Sequence, residues 1–131
     1  MLPIVSAHPS SVLLVDDEPV LLRMLEVNLR IAGFAVRTAA SGSGAIAAAG
    51  DRPDVIVLDL GLPDIDGWEV LERLRAMPAL ADTPVIVLSG TDRDATDDHG
   101  YAAGVHAFLT KPVEPAALVD VVRRAVARTD A

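Results

Sequence analysis

Two adjacent aspartates, Asp16 and Asp17, follow the apolar run Val12 to Val15, and Asp59 follows the run Val55 to Leu58. Ser89 follows Val85 to Leu88, and Thr110 and Lys111 follow Ala107 to Leu109. If the first and third runs lie side by side, three carboxylates meet, and their repulsion is costly unless a cation compensates it. A hard divalent ion suits such an all-oxygen set. Magnesium binds through one or two protein carboxylates and keeps water or phosphate oxygens in its other positions. Three carboxylates, a divalent ion and the Lys111 ammonium balance in charge, which is what a pocket needs if it is to admit a phosphoryl group. Lys111 is the only lysine, against ten arginines, and directly precedes Pro112. Beside Asp59 its ammonium can hold the carboxylate and then a phosphoryl oxygen, while Ser89 donates to another.

These residues meet only if strand ends bring them together. The runs Val12 to Val15, Ala35 to Thr38, Val55 to Leu58, Val85 to Leu88 and Ala107 to Leu109 alternate with longer amphipathic stretches. Each run reads as a short strand covered on both faces, and the alternation predicts a parallel sheet with right-handed crossovers and helices on both sides. Such sheets bind ligands outside the carboxyl ends of their strands. Four of the five runs carry a candidate there, and only the second lacks one. Pro19, Gly33 and the stripe Leu21, Leu25, Leu29 mark the first helix. Ala45 to Ala49 is a good helix former. Pro115 opens the last helix, with Leu118, Val121, Val122, Ala125 and Val126 on its apolar face. Thr91 to Gly100, with four aspartates and few apolar residues, is expected to be a mobile, solvated helix or loop.

With 131 residues, half of them apolar, the chain has room for one buried core and no second globular domain. It has no cysteine, which excludes disulfides and thiolate metal sites and suits a reducing, cytoplasmic setting. No apolar run is long enough to span a bilayer. The opening MLPIVSAHPS lacks the basic region of a secretory signal and reads as a loose lead-in over residues 1–10. A formal net charge of -8 repels a phosphate backbone and argues against direct nucleic-acid binding.

Taken together these residues resemble the receiver domain of two-component response regulators. The likeness rests on LLVDDE at 13–18, VIVLDLGLPDIDGWEVL at 55–71, VIVLSG at 85–90 and AAGVHAFLTKP at 102–112, and it places the receiver over residues 11–128 with a tail at 129–131. It implies a flavodoxin-like α/β fold with a doubly wound, five-stranded parallel sheet in the order 2-1-3-4-5. By matching position Asp59 is the phosphoacceptor, Asp17 a direct magnesium ligand, Asp16 a ligand mainly through water, and the Gly61 carbonyl the remaining protein ligand. Manganese is an alternative ion. Ser89 and Lys111 hold phosphoryl oxygens, and a cis Lys111–Pro112 peptide, a form that only X-Pro bonds reach cheaply, aims Lys111 at the pocket.

The implied partners are a sensor histidine kinase or phosphotransfer protein as donor, and a downstream protein or attached output domain. The implied surface for output is the fourth helix, fifth strand and fifth helix, with Ser89 and Phe108 as switch residues. Phe108 lacks the phenolic hydroxyl of the tyrosine often found at its position, which predicts an inward bias or an exposed aromatic contact. His106 and Ala107 stand where many dimerising receivers carry an acidic pair, so that salt-bridged homodimer is not expected. Gly90 replaces the more usual alanine and loosens its loop. His99 and His106 read as surface residues, and Trp68 as a packing residue near the metal loop. Two other readings stay open: a phosphorylation-independent interaction module, and a phosphatase of the haloacid dehalogenase type. The latter needs a second acid two residues after the nucleophile, where this chain has Gly61. No output domain is encoded in these residues, which fits either a stand-alone receiver or part of a longer regulator or hybrid kinase.

Overall fold

A computed structural model describes residues 9–90 and 104–130, with side chains as far as residue 127. Thr91 to Gly100, and His99 with it, lie outside the described residues. Five strands, β1 (Ser11–Val15), β2 (Ala35–Ala39), β3 (Val55–Asp59), β4 (Val85–Ser89) and β5 (Ala107–Thr110), form one parallel sheet in the order β2-β1-β3-β4-β5. Around it lie α1 (Pro19–Ile31), α2 (Gly42–Ala48), α3 (Gly67–Arg75) and a C-terminal helix (Pro115–Asp130). This is the flavodoxin-like arrangement, with β1 next to β3.

Alternate strand residues face opposite sides of a sheet. Leu13, Val15, Ile56, Leu58 and Val87 pack with Ala45, Val70, Leu71 and Leu74 of α2 and α3. Val12, Leu14, Val57, Ile86 and Leu88 pack with Leu25 and Leu29 of α1 and with Leu118, Val122 and Ala125 of the C-terminal helix. Pro19 opens α1, where a missing N–H costs nothing. Gly33, at φ 101°, ends the helix: its N–H donates to the Arg30 carbonyl and that of Phe34 to the Leu29 carbonyl. This is the Schellman pattern, which needs a left-handed residue at that place.

The expectation that every strand is covered on both faces holds for β1, β3 and β4 and fails at the edges. In β2, Arg37 and Thr38 are exposed; in β5, Ala107, Phe108 and Leu109 are half-buried and Thr110 is exposed. An edge strand has one neighbour, and the helices cover it only in part. Arg37 instead pairs with Asp51, and a charge on an edge discourages pairing with another chain.

Candidate functional site

The sheet register sets the site. Asp59 ends β3 opposite Leu88, Ser89 ends β4 opposite Thr110, and Asp16 and Asp17 follow Val15, the last residue of β1. One oxygen from each of Asp16, Asp17 and Asp59 lies within 4.8 Å of the others. Asp16 (0% exposed), Asp59 (4%) and Ser89 (2%) are buried polar residues amid an apolar core, whereas Asp17 faces solvent. Lys111 Nζ lies 3.2 Å from Asp16 Oδ2, 3.2 Å from Asp59 Oδ2 and 3.6 Å from Glu18 Oε1. The Lys111 N–H donates to the Ser89 carbonyl at 2.7 Å, and the Lys111–Pro112 peptide is cis.

The electrostatics point one way. Burial pushes the Asp16 carboxyl above its ordinary range and repulsion from Asp59 adds to this; the Glu18 N–H, donating to Oδ1 at 2.9 Å, and Lys111 offset it only in part. For Lys111 burial disfavours the ammonium, yet Asp16 and Asp59 together outweigh it and its pKa is raised. Asp16 Oδ2 is fully buried and meets the Lys111 ammonium at 3.2 Å as an ion pair rather than as a well-formed hydrogen bond. A buried, unsatisfied anionic oxygen beside two further carboxylates fits a divalent cation, and the donors are all oxygen, the set magnesium takes.

The loop after Asp59 is held at several points. The Gly61 N–H donates to Asp59 Oδ1 at 3.1 Å. Gly67 packs so tightly that a Cβ there would lie 2.5 Å from Leu60 Cα, so no other residue fits without movement. Asp66 caps α3 by accepting the Trp68 N–H at 2.7 Å. Asp64 reaches across to α2, with Oδ1 accepting from Gly42 N at 2.7 Å and Oδ2 from Ser43 N at 3.0 Å. Those N–H groups of Ser43 and Gly42 lower the Asp64 pKa to about 2.

The structure therefore brings together Asp16, Asp17, Asp59 and Lys111, with Gly61 and Ser89 on the adjoining chain ends. Phe108 stands apart from the carboxylates. Its half-buried ring packs on the α2 and α3 side of the sheet, with its centroid 6.4 Å from that of Trp68. Three participants escape a reading of the sequence: Glu18 beside Lys111, the Ala39 carbonyl that accepts the Asp16 N–H at 3.1 Å, and the Asp64 bracket. Ser41, which accepts the Gly44 N–H, does mark the start of α2 as a local cap signal.

Fold and site together define a doubly wound α/β domain with a cluster of three carboxylates and one ammonium at the carboxyl edge of its sheet. The chain belongs to the response regulator receiver domain family, whose family model matches residues 12–123. It is 42% identical over 121 residues to the transcriptional regulatory protein KdpE of Mycobacterium tuberculosis, an alignment covering 92% of this chain and 52% of that protein. To the probable transcriptional regulatory protein TcrX of the same species it is 46% identical over 126 residues, covering 93% and 52%. Among solved structures it is similar to the chemotaxis protein CheY4 of Vibrio cholerae, with a TM-score of 0.83, 32% identity and coverage of 89% of this chain and 98% of that one. The chain spans about half the length of the curated relatives it matches. No helix among the described residues is long and apolar enough to cross a membrane.

Proposed function

We propose that the chain accepts a phosphoryl group on Asp59 from the phosphohistidine of a sensor kinase or phosphotransfer protein, with magnesium as cofactor, and that this change regulates a partner or an attached output domain. The supporting observation is the three-carboxylate cluster around the buried Asp16 Oδ2, with one ammonium spanning Asp16 and Asp59. Asp16, Asp17, Asp59 and the Gly61 carbonyl would hold the ion, which when bound supplies positive charge against the carboxylates and the incoming phosphoryl oxygens.

The chain's own groups account for the remaining steps. A carboxylate oxygen of Asp59 attacks phosphorus as the phosphorus–nitrogen bond of the donor breaks, and the electron pair leaves with the imidazole nitrogen. Lys111, already 3.2 Å from Asp59 Oδ2, stays with the developing acyl phosphate and stabilises its charge. Ser89 supplies a hydroxyl to another phosphoryl oxygen. Water later attacks phosphorus, the phosphorus–oxygen bond to Asp59 breaks, and the carboxylate returns with inorganic phosphate. The movement of Ser89 biases a two-state equilibrium in which Phe108 is the second element.

The outer face of α1 supports a helical donor. Val20 (84% exposed), Met24, Val27 and Ile31 (81%) are the exposed large hydrophobics among the described residues, and they form one stripe along this helix. Arg23 and Arg30, each paired with Glu26, flank it. A helix with an apolar seam complements it, and α1 begins three residues beyond Asp16.

The test is incubation with magnesium and acetyl phosphate, followed by intact-mass and peptide analysis. One added phosphoryl group on Asp59, absent in Asp59→Asn and in chelator, is the expected result. Failure of the wild-type protein to accept acetyl phosphate or to respond to beryllofluoride overturns the proposal and leaves the phosphorylation-independent module. Turnover of unrelated phosphoesters would instead indicate the phosphatase.

A further inference from the structure

The loop from Gly61 to Asp66 must present the Gly61 carbonyl if that group is to complete a cation site, yet Leu62 is only half-buried and Pro63 and Asp64 are exposed. Burial alone does not fix such a loop. Its middle is held instead by Asp64, whose two oxygens each take a backbone N–H from the first residues of α2. The donors lie 22 and 21 residues away in sequence, so the contact joins two separate βα connections rather than closing a local turn.

Gly42 makes the approach possible. A Cβ at that position would lie 2.8 Å from Val70 Cγ2, 3.0 Å from Ile65 Cβ and 3.2 Å from Asp64 Oδ1. Any side chain there drives α2 away from the loop and from the start of α3. Ser41 meanwhile spends its own hydroxyl on the Gly44 N–H, so the Gly42 and Ser43 donors are left to the aspartate. Together with the Gly61 N–H on Asp59 and the packing of Gly67 against Leu60, the bracket fixes the loop on three sides.

We infer that Asp64 is a positioning residue for the cation site, setting the place of the Gly61 carbonyl by tying its loop to Gly42 and Ser43 of α2. It touches neither the ion nor the reacting atoms. This inference rests on the proposed function, because it takes Gly61 as a ligand. Groups hydrogen-bonded directly to metal ligands typically alter metal affinity about 10- to 100-fold when removed. Asp64 acts through three residues of backbone, so the expected effect is smaller, about three- to tenfold.

The test is the manganese dissociation constant, read from loss of the free-ion electron paramagnetic resonance signal, with magnesium as competitor. Asp64→Ala and Asp64→Asn should both weaken binding of either ion about three- to tenfold, and Gly42→Ala, which leaves the carboxylate in place, should do the same from the other side. Val122→Ala, a core truncation on the opposite face of the sheet, gives a matched loss of thermal stability and should leave the dissociation constant within twofold, roughly the limit of a neutral change. Unchanged affinity in the two Asp64 variants, or an equal loss in Val122→Ala, overturns the inference while the proposed function stands. Failure of the wild-type protein to bind either ion removes the proposed function itself.

Discussion

Replacing Asp16 by asparagine should stabilise the metal-free protein while removing most of its response to magnesium. With an effective dielectric constant of about 20, repulsion between Asp16 and Asp59 oxygens no more than 4.8 Å apart costs about 3.5 kcal/mol, and the attraction of Lys111 at 3.2 Å returns about 5 kcal/mol. The two nearly offset each other, so burial decides the sign, in agreement with a carboxyl pushed above its ordinary range mainly by desolvation. Leaving a buried oxygen without a donor costs about 1–3 kcal/mol, and more when it is charged. An asparagine keeps an acceptor for the Glu18 N–H and removes the buried charge, but its amide then stands where Oδ2 met the Lys111 ammonium and about 1.5 kcal/mol of net attraction is lost, so the gain is about 1 kcal/mol at most. In a domain of this size that raises Tm by at most roughly 5 °C. The linkage has a matching sign. A carboxyl whose folded-state pKa lies above the unfolded value costs stability while it is ionised, so metal-free wild type gains on Asp16→Asn as pH falls through that folded-state pKa toward the unfolded value near 3.8. The assay is thermal unfolding by circular dichroism, in chelator and then across a magnesium series. Saturating ion should stabilise wild type by the logarithm of its concentration over the dissociation constant, an increment that Asp16→Asn largely lacks. A variant that melts below wild type in chelator, or that keeps the full magnesium increment, refutes the reasoning.

Asp64 has its pKa lowered to about 2, so its contribution is present above the unfolded value near 3.8 and is lost as pH falls through the interval down to about 2. Asp64→Asn should flatten the acid limb of urea stability over that interval. Gly67→Ala places a methyl group 2.5 Å from Leu60 Cα and should destabilise the fold by about 2–4 kcal/mol, measured by chemical denaturation. Ile31→Glu and Val20→Glu change exposed positions and should leave Tm within about 2 °C. Both should slow transfer from phosphorylated histidine kinases of the host organism at least about tenfold, the scale of an interface anchor, while phosphorylation by acetyl phosphate proceeds at the wild-type rate. Equal slowing with both donors removes α1 as the docking face.

The features legible in the sequence are those set by local pattern and by topology. Apolar runs fixed the strands, Pro19, Gly33 and Pro115 marked helix ends, and residues following the strands supplied Asp16, Asp17, Asp59, Ser89 and Lys111. Relative coverage of the strands was not legible in the runs themselves: the order implied by the resemblance puts Ala35 to Thr38 at an edge, but the run alone does not show that Arg37 and Thr38 stand in solvent. Contacts between separate connections were hidden as well. Asp64 reads as an ordinary turn residue, and only the folded chain brings it to Gly42 and Ser43. The exposed α1 stripe lay in plain view beside Leu21, Leu25 and Leu29, but a helix with apolar residues on much of its circumference does not say which of them face the sheet.

Asp59 sits on the middle strand of the sheet, bonded to β1 on one side and β4 on the other, and the next residue continues the ladder through the Leu60 N–H to the Leu88 carbonyl. Its strand is thus paired on both sides, whereas β5 has a single neighbour and a half-wet surface. The strand at the hub is therefore clamped on two sides, whereas the rim strand has fewer ladder bonds holding it in place.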